Sequence, residues 1–178
     1  MYFIKILIKI IDFLRTYYWC LIHRVKYKKG IFIGRNVKKN FHVKLELSEY
    51  SRIGDNVLFW GNGTIKIGEK SSIGPESRLY ASKGYGIEIG DYVNSASHLY
   101  IIDSNHGIEK DKIMLYQAMK HKKIKIGNDI WFGYHVTVLP GVILEDGIVC
   151  GACSVVTKSF PKNSIICGGP AKIVKYRN

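Results

Sequence analysis

The chain has 178 residues, of which 47% are hydrophobic, an ordinary content for a single folded domain. Its 27 Lys and Arg residues outnumber its 14 Asp and Glu residues, which gives a formal charge of +13 and favours anionic partners. The lysines are spread along the chain rather than massed in a nucleic-acid-binding motif, so we do not predict nucleic-acid binding.

The first predicted element is an amphipathic helical segment over residues 1–30, MYFIKILIKIIDFLRTYYWCLIHRVKYKKG. Polar residues recur in it every three or four positions, at Lys5, Lys9, Asp12 and Arg15 or Thr16. These charges, and the lack of a small-residue cleavage site, argue against a signal peptide and against a membrane-spanning helix. Two compatible roles remain. The helix could cover exposed strand edges of the following domain or pack in an oligomer, and it could lie on a membrane surface through its aromatic and basic residues.

A period of six residues dominates the rest of the chain. Counting forward from Ile126 in sixes gives only apolar residues, and the column two places earlier is apolar in five of six positions. The first column contains Ile126, Phe132, Val138, Leu144, Cys150 and Val156. Shorter upstream runs keep the same pairing of an apolar residue with glycine, as at Ile67-Gly68 and Ile73-Gly74. Short strands separated by tight glycine corners predict a β-solenoid rather than a β-sandwich.

The repeat is interrupted between Ile101 and Ile124, and we predict a protruding loop over about 102–123. It begins with Asp103-Ser104-Asn105-His106-Gly107. Long insertions in regular folds usually carry function. A neutral imidazole is suited to remove a proton from a hydroxyl group near neutral pH, so His106 is the candidate general base. Asp103 could orient the ring or could be a turn residue, and both readings stay open.

Two stretches of the chain resemble a known family. Residues 124–177, which include GNDIWFG and GACSVVTKSFP, are similar to the closing coils and tail of the hexapeptide-repeat sugar O-acetyltransferases. IIDSNHG (101–107) is similar to the catalytic segment of the branch that acetylates O-antigen and capsular polysaccharides. The resemblance covers roughly residues 31–177.

The resemblance implies an all-β fold with a left-handed parallel β-helix over 31–160. The tail, 161–178, would pack on the last coils, and three chains would assemble into a homotrimer with sites between subunits. The implied reaction is acetyl transfer from acetyl-CoA to a hydroxyl of a sugar, with His106 as base and no covalent intermediate. The protein would be cytoplasmic, with possible peripheral contact to the inner membrane face through residues 1–30.

The resemblance also implies which residues bind acetyl-CoA and acceptor. Those beside the thiol end of the cofactor would be Trp131, Gly133 and Tyr134. Ala152, Thr157, Lys158, Lys172 and Lys175 would contact the rest of it, with the tail lysines near its phosphates. Asn94, Asn105 and His98 are candidate acceptor contacts. The galactoside and maltose enzymes carry a further catalytic asparagine, but our register gives Glu76 or Arg78 at that position.

Other functions fit parts of the sequence. A small acceptor such as serine or an antibiotic is chemically possible, and so is a non-catalytic scaffold. A zinc carbonic anhydrase on the same solenoid would need three suitably spaced histidines, and the spacing here does not match. The Cys150-Gly151-Ala152-Cys153 motif resembles a metal or redox site, but Cys150 falls on the inward column, where a small apolar side chain is expected. We therefore predict no metal and no nucleophilic cysteine.

Overall fold

The structure, a computed structural model, describes residues 2–178. Met1, the first residue of the predicted N-terminal segment, lies outside the described residues. Helix α1 (Tyr2–Ile22) precedes a stack of coils, each built from short strands.

The strands repeat three to a coil. The first three coils contain β1 (Phe32–Ile33), β2 (Lys38–Lys39), β3 (Lys44–Leu47), β4 (Arg52–Ile53), β5 (Leu58–Gly61), β6 (Thr64–Ile67), β7 (Ser72–Ile73), β8 (Arg78–Ala81) and β9 (Ile87–Ile89). The fourth contains β10 (Asn94–Ser95), β11 (Tyr100–Ile102), the arm strands β12 (Ser104–Asn105) and β13 (Lys120–His121), and β14 (Ile124–Ile126). The remainder are β15 (Trp131–Phe132), β16 (Thr137–Val138), β17 (Ile143–Leu144), β18 (Val149–Cys150), β19 (Val155–Val156), β20 (Ser164–Cys167) and β21 (Lys172–Tyr176).

Stacking of the coils creates three sheets that form the faces of a triangular prism. Sheet A contains β1, β4, β7, β10, β15, β18 and β20, with β21 at its edge; sheet B contains β2, β5, β8, β11, β16 and β19; sheet C contains β3, β6, β9, β14 and β17. Pairing between the coils is parallel, and the tail strand β21 folds back antiparallel onto β20. This architecture matches the left-handed β-helix, so the predicted fold is confirmed. Parallel pairing continues through β20, beyond the predicted coil boundary at residue 160.

The two sequence columns fill the interior of the prism. Ile126, Phe132, Val138, Leu144, Cys150 and Val156 are each at most 1% exposed. The companion column is equally buried, and its one polar member, Ser154, donates its hydroxyl to the Gly151 carbonyl at 2.7 Å. Burying each large aliphatic side chain stabilises the fold by about 1.5–3 kcal/mol. The period of six therefore reflects one inward-pointing side-chain pair for each face of a coil.

The C-terminal half of α1 covers the open edge of the first coil, as one of the two predicted roles requires. Trp19 donates its indole N–H to the Val37 carbonyl at 2.9 Å, and Arg15 donates to the Ile33 carbonyl at 3.1 Å. Thr16 is buried, and its hydroxyl accepts a hydrogen bond from the Ile33 N–H at 3.1 Å. These contacts satisfy backbone groups that an uncovered first coil would leave unpaired. Within residues 2–178, no helix combines the length and hydropathy needed to cross a membrane.

Candidate active site

An arm of residues 103–123 leaves the prism between sheets B and C, at what we call the B–C corner of the fourth coil. Its base is the antiparallel pair β12 and β13, in which Ser104 is paired with His121 and Asn105 with Lys120. The Lys122 N–H also donates to the Asp103 carbonyl at 2.9 Å. The predicted loop is thus a hairpin at its base, which fixes the first residues of the arm.

In the outer part of the arm, the Gln117 side chain links the two ends of the loop, and apolar residues are exposed around it. The amide of Gln117 accepts from the Glu109 N–H at 2.8 Å and donates to the Glu109 carbonyl at 2.9 Å. Five large apolar side chains around this closure are each more than 60% exposed: Ile108, Ile113, Met114, Leu115 and Tyr116. This amount of contiguous apolar surface indicates a surface that contacts another molecule.

Asp103 is completely buried beneath the arm. One carboxylate oxygen accepts hydrogen bonds from the Ser82 and Gly86 N–H groups, both at 2.8 Å, and the other accepts from the Ser82 hydroxyl at 2.7 Å. Both oxygens are therefore used to attach the arm to the third coil. We propose that Asp103 is a positioning residue that acts on His106 through the base of the arm.

Replacing Asp103 with alanine is expected to lower the free energy of unfolding by roughly 2–3 kcal/mol, because it leaves buried N–H donors without an acceptor. Chemical denaturation monitored by tryptophan fluorescence measures the change. Asp111→Ala, at an exposed position of the same arm, is the matched control and should unfold like the parent protein. Equal stabilities for the two variants would show that the Asp103 contacts do not hold the arm.

His106 is exposed at the outer side of the arm base. It lines a cleft of about 360 Å³ together with Asn105, and the other lining residues are Ile108, Lys120, Lys122 and Pro140. An exposed imidazole in a cleft can reach a bound hydroxyl group, and the two lysines supply positive charge beside it. Of the three predicted acceptor contacts, only Asn105 shares this cleft.

Asn94 and Trp131 lie together on the outer face of sheet A. They are direct register partners in the ladder between β10 and β15. The Trp131 side chain is 55% exposed, so it does not fill space between coils. Its ring therefore remains available to contact a ligand on this face.

The residues that follow β15 form the A–B corner, where sheet A turns into sheet B. Gly133 is buried against the next coil, and a Cβ at this position would come within 2.6 Å of the Ala152 N atom. Tyr134 is half-exposed, with its ring centroid 5.2 Å from that of His98. The structure thus groups His98 with the predicted cofactor residues Gly133, Tyr134 and Ala152, and not with His106.

The remaining predicted cofactor residues are all exposed, and they occupy two places. Thr157 and Lys158 follow β19 at the B–C corner, on the same corner of the prism as the arm. Lys172 and Lys175 lie on β21, where Lys175 is paired with Ile165 and Lys172 with Cys167. The tail strand therefore extends sheet A, the face that carries Trp131, with cationic side chains.

His106 and Trp131 lie on opposite sides of the prism. Trp131 belongs to sheet A, whereas the arm leaves from the corner between sheets B and C, which is opposite sheet A. A site that uses both side chains therefore requires the corner of one copy and the face of another.

Several residues of the site were not predicted from sequence. Lys120 and Lys122 enter the cleft because β13 returns alongside β12. His121 lies inside the arm base with its ring stacked on Tyr85 at 5.3 Å, and its Nδ1 atom is buried without a hydrogen-bond partner. The run of basic residues HKK (121–123) was the feature of the sequence that could have indicated these residues of the site.

The placement of the cysteines and histidines bears on the possibility of a metal site. Over residues 2–178, no group of three or more His, Cys, Asp or Glu side chains could hold a metal ion. Cys150 is buried on the inward column, and burial raises the pKa of its thiol to about 12. A thiol in this environment remains protonated and is a poor nucleophile.

Comparison with known proteins gives consistent relatives, although no family model matches the chain. WbbJ of Escherichia coli, whose name assigns it to O-acetyl transfer in lipopolysaccharide biosynthesis, is 34% identical over 145 residues, which cover 66% of this chain and 74% of WbbJ. A Mycobacterium tuberculosis protein named as an acetyltransferase is 32% identical over 83% of this chain, which spans only 50% of that longer protein.

Among solved structures, a maltose O-acetyltransferase from Clostridium difficile superposes with a TM-score of 0.60 and 25% identity, over 86% of this chain and 68% of that one. The shared solenoid, the six-residue repeat and the similarity to WbbJ over most of its length lead to one conclusion. The chain belongs to the hexapeptide-repeat acetyltransferase family.

Proposed function

We propose that the protein transfers the acetyl group of acetyl-CoA to a hydroxyl of a sugar in a bacterial surface polysaccharide. The observation that carries the proposal is His106, an exposed imidazole in a cleft on an arm whose base is fixed by the buried Asp103. Membership of an acetyltransferase family and the name of WbbJ support the reaction and the acceptor class.

In the proposed mechanism, a neutral imidazole nitrogen of His106 removes the proton of a sugar hydroxyl. The hydroxyl oxygen attacks the thioester carbonyl, forms the new C–O bond and pushes the electron pair onto the carbonyl oxygen. A backbone N–H in the neighbouring coil stabilises that negative charge. The C–S bond then breaks, and the imidazolium returns the proton to the departing thiolate. Asn105, in the same cleft, would orient the sugar by hydrogen bonding.

Acetyl-CoA fits the chemistry of the face that carries Trp131. In this proposal the thiol end lies against Trp131 and Tyr134, which are both half-exposed aromatic side chains. Gly133 and Ala152 bring backbone close to the ligand, and Asn94 lies beside Trp131 for a polar contact. The exposed lysines of β21 would contact the phosphates, which favour cationic partners. Thr157 and Lys158 would complete the contacts from the B–C corner.

The proposed assembly is a homotrimer with each site shared by two subunits. The opposite positions of Trp131 and His106 on the prism favour a shared site. The outer face of sheet B also presents an aromatic and aliphatic surface, with Trp60 50% exposed and Tyr80 and Tyr100 partly exposed. Burying this surface and the apolar arm tip between subunits would stabilise the trimer.

We also propose that the protein acts in the cytoplasm and contacts the inner face of the membrane through α1. The turns of the helix that precede the capping contacts expose Ile8, Ile10, Ile11 and Phe13 to about half of their surface. Lysines interrupt this surface at Lys5 and Lys9. A helix of this kind can lie in the headgroup region with its apolar residues inserted and its cations at anionic lipids.

The proposed reaction is tested by incubating the protein with acetyl-CoA and each of a panel of acceptors. The rate of release of the coenzyme A thiol is measured for each acceptor. With sugars and oligosaccharides of bacterial surface polysaccharides as acceptors, thiol should be released well above the rate of acetyl-CoA hydrolysis without an acceptor. Mass spectrometry should find the acetyl group as an ester on the glycan. Faster acetylation of serine or of an aminoglycoside than of any glycan would contradict the proposed acceptor class. No binding of acetyl-CoA in a calorimetric titration would contradict the reaction itself.

A further inference from the structure

A cavity of about 630 Å³ lies beside the first coil, at the opposite end of the solenoid from the tail. Its walls are the end of α1, the segment that follows it, and the B–C corner and β3 of the first coil. We call it the basal cleft. Seven basic residues line it: Arg24, Lys26, Lys28, Lys39, Lys44 and the two histidines His23 and His42. None of these residues has a role in the proposed acetyl transfer.

Most of this positive charge has no acidic partner. The one carboxylate that lines the basal cleft, Glu46, is paired with Lys44 at 2.7 Å and with Lys66 at 3.6 Å. Within residues 2–178, no carboxylate forms an ion pair with Arg24, Lys26, Lys28 or Lys39. The basal cleft is therefore a concave surface with several uncompensated cations, which attracts a compact, multiply charged anion.

The charges are also partly removed from water. Burial lowers the pKa of Lys39, and burial together with the charge of Lys39 lowers the pKa of His23. Lys39 is held in place because its ammonium group donates to the Asn40 carbonyl at 3.1 Å. Arg24 is held over the ring of Phe41, with its guanidinium 5.4 Å from the ring centroid. Cations fixed in a concave, partly desolvated site can bind phosphate without first being ordered.

An exposed apolar surface adjoins the basal cleft. Ile22, at the end of α1, lines the cleft and is 72% exposed, and the preceding Leu21 is 64% exposed. The apolar surface of α1 therefore runs directly into the cluster of cations. This order, from aliphatic chain to phosphate, matches the order of groups in a lipid phosphate at a membrane surface.

The basal cleft and the cleft of His106 lie on the same corner of the prism. Residues 40–43 form the B–C corner of the first coil, and residues 103–123 form that of the fourth. Adjacent parallel strands are about 4.8 Å apart, so three coil steps separate the two clefts by about 14 Å. The corner between them carries polar groups, including the Asn62 side chain, which accepts a hydrogen bond from the Lys83 N–H. A short oligosaccharide could extend along this distance.

We propose that the basal cleft binds the pyrophosphate or phosphate of a lipid-linked glycan, so that the lipid lies beside α1 and the sugars extend along the B–C corner to His106. The inference rests on the proposed function and specifies its acceptor as a membrane-anchored polyisoprenyl phosphate glycan. It also assigns one task to α1, the basic segment after it and the first coil, namely to hold the phosphate end of the acceptor.

Sedimentation with vesicles of neutral phosphatidylcholine tests the proposal, with geranylgeranyl pyrophosphate in the bilayer as the probe. The full chain should sediment with vesicles that contain the probe and much less with vesicles that lack it. Lys26→Gln and Lys39→Gln should each weaken this binding by about fivefold, as expected for one cation at a charged surface. Lys162→Gln, an exposed lysine at a distant corner, is the matched control and should bind like the parent protein.

Three outcomes would overturn the proposal. The first is equal sedimentation with and without the probe. The second is equal binding to phosphatidylglycerol vesicles adjusted to the same surface potential, which would indicate a general attraction to anionic membranes. The third is full competition by a soluble nucleotide sugar at concentrations similar to the probe, which would assign the basal cleft to that class of acceptor. Because the assay needs no turnover, its failure is distinct from a failure to release thiol from acetyl-CoA.

Discussion

His106→Ala protein is expected to bind coenzyme A like the parent protein while its kcat falls by about two to four orders of magnitude, the usual contribution of a general base. The imidazole lies in a cleft at the base of the arm, and none of the proposed cofactor contacts lines this cleft. Loss of the ring should therefore remove proton transfer without removing a cofactor contact. Thiol release under saturating substrates measures kcat, and calorimetric titration measures the affinity for coenzyme A.

Two further variants make this result specific to the imidazole. Lys110→Ala changes an exposed side chain of the same arm and should retain the parent kcat. His106→Gln keeps a polar side chain of similar reach but cannot act as a base, and it should be as slow as His106→Ala. The assignment of His106 as the base would be wrong if either His106 variant kept more than about a tenth of the parent kcat.

The coils could be predicted from sequence because their physical cause is local and repeated. Each strand contributes an inward side-chain pair, so Ile126, Phe132 and Val138 recur with a fixed spacing and are all buried. Gly133 follows the same logic, because the next coil approaches too closely for a Cβ atom. The six-residue repeat of apolar residues and its glycines can therefore be recognised from neighbouring residues alone, without information about distant parts of the chain.

The arm could not be derived in the same way. Its base consists of two-residue strands, β12 and β13, which are too short to show any alternation of polar and apolar residues. Asp103 could be read from sequence equally well as a turn residue or as a partner of His106. Its actual partners, Ser82 and Gly86, belong to the previous coil and become neighbours only when the coils stack.

The grouping of the site residues depends on the register of the coils. His98 and Asn105 are only seven positions apart, yet one lies at the A–B corner beside Tyr134 and the other on the arm. The insertion breaks the period of six, so the sequence did not reveal on which side of the prism His106 lies relative to Trp131.

The two roles predicted for α1, covering the first coil and lying on a membrane, could be distinguished only in part. Its hydrogen bonds to the first coil are seen directly, whereas contact with a membrane stays a proposal.

The proposed sharing of each active site by two subunits predicts a second large effect, namely that two inactive variants rescue each other. His106→Ala lacks the base but keeps the proposed cofactor face. Trp131→Glu keeps the base but places a negative charge on that face, where it should repel the anionic cofactor. Each variant alone should have a few per cent of the parent activity or less. In a mixed trimer of the proposed kind, one of the three sites would combine an intact His106 with an intact Trp131 from its neighbour.

The central claim is that His106 of one copy acts on a thioester held against the Trp131 face of another. The most direct test is thiol release by mixed oligomers, prepared by coexpressing the two variants with different affinity tags and purifying on both tags. The account predicts about a third of the parent rate for each mixed trimer. Mixed oligomers that remain as inactive as their two parents would contradict the shared site, and so would a protein that forms no mixed oligomers.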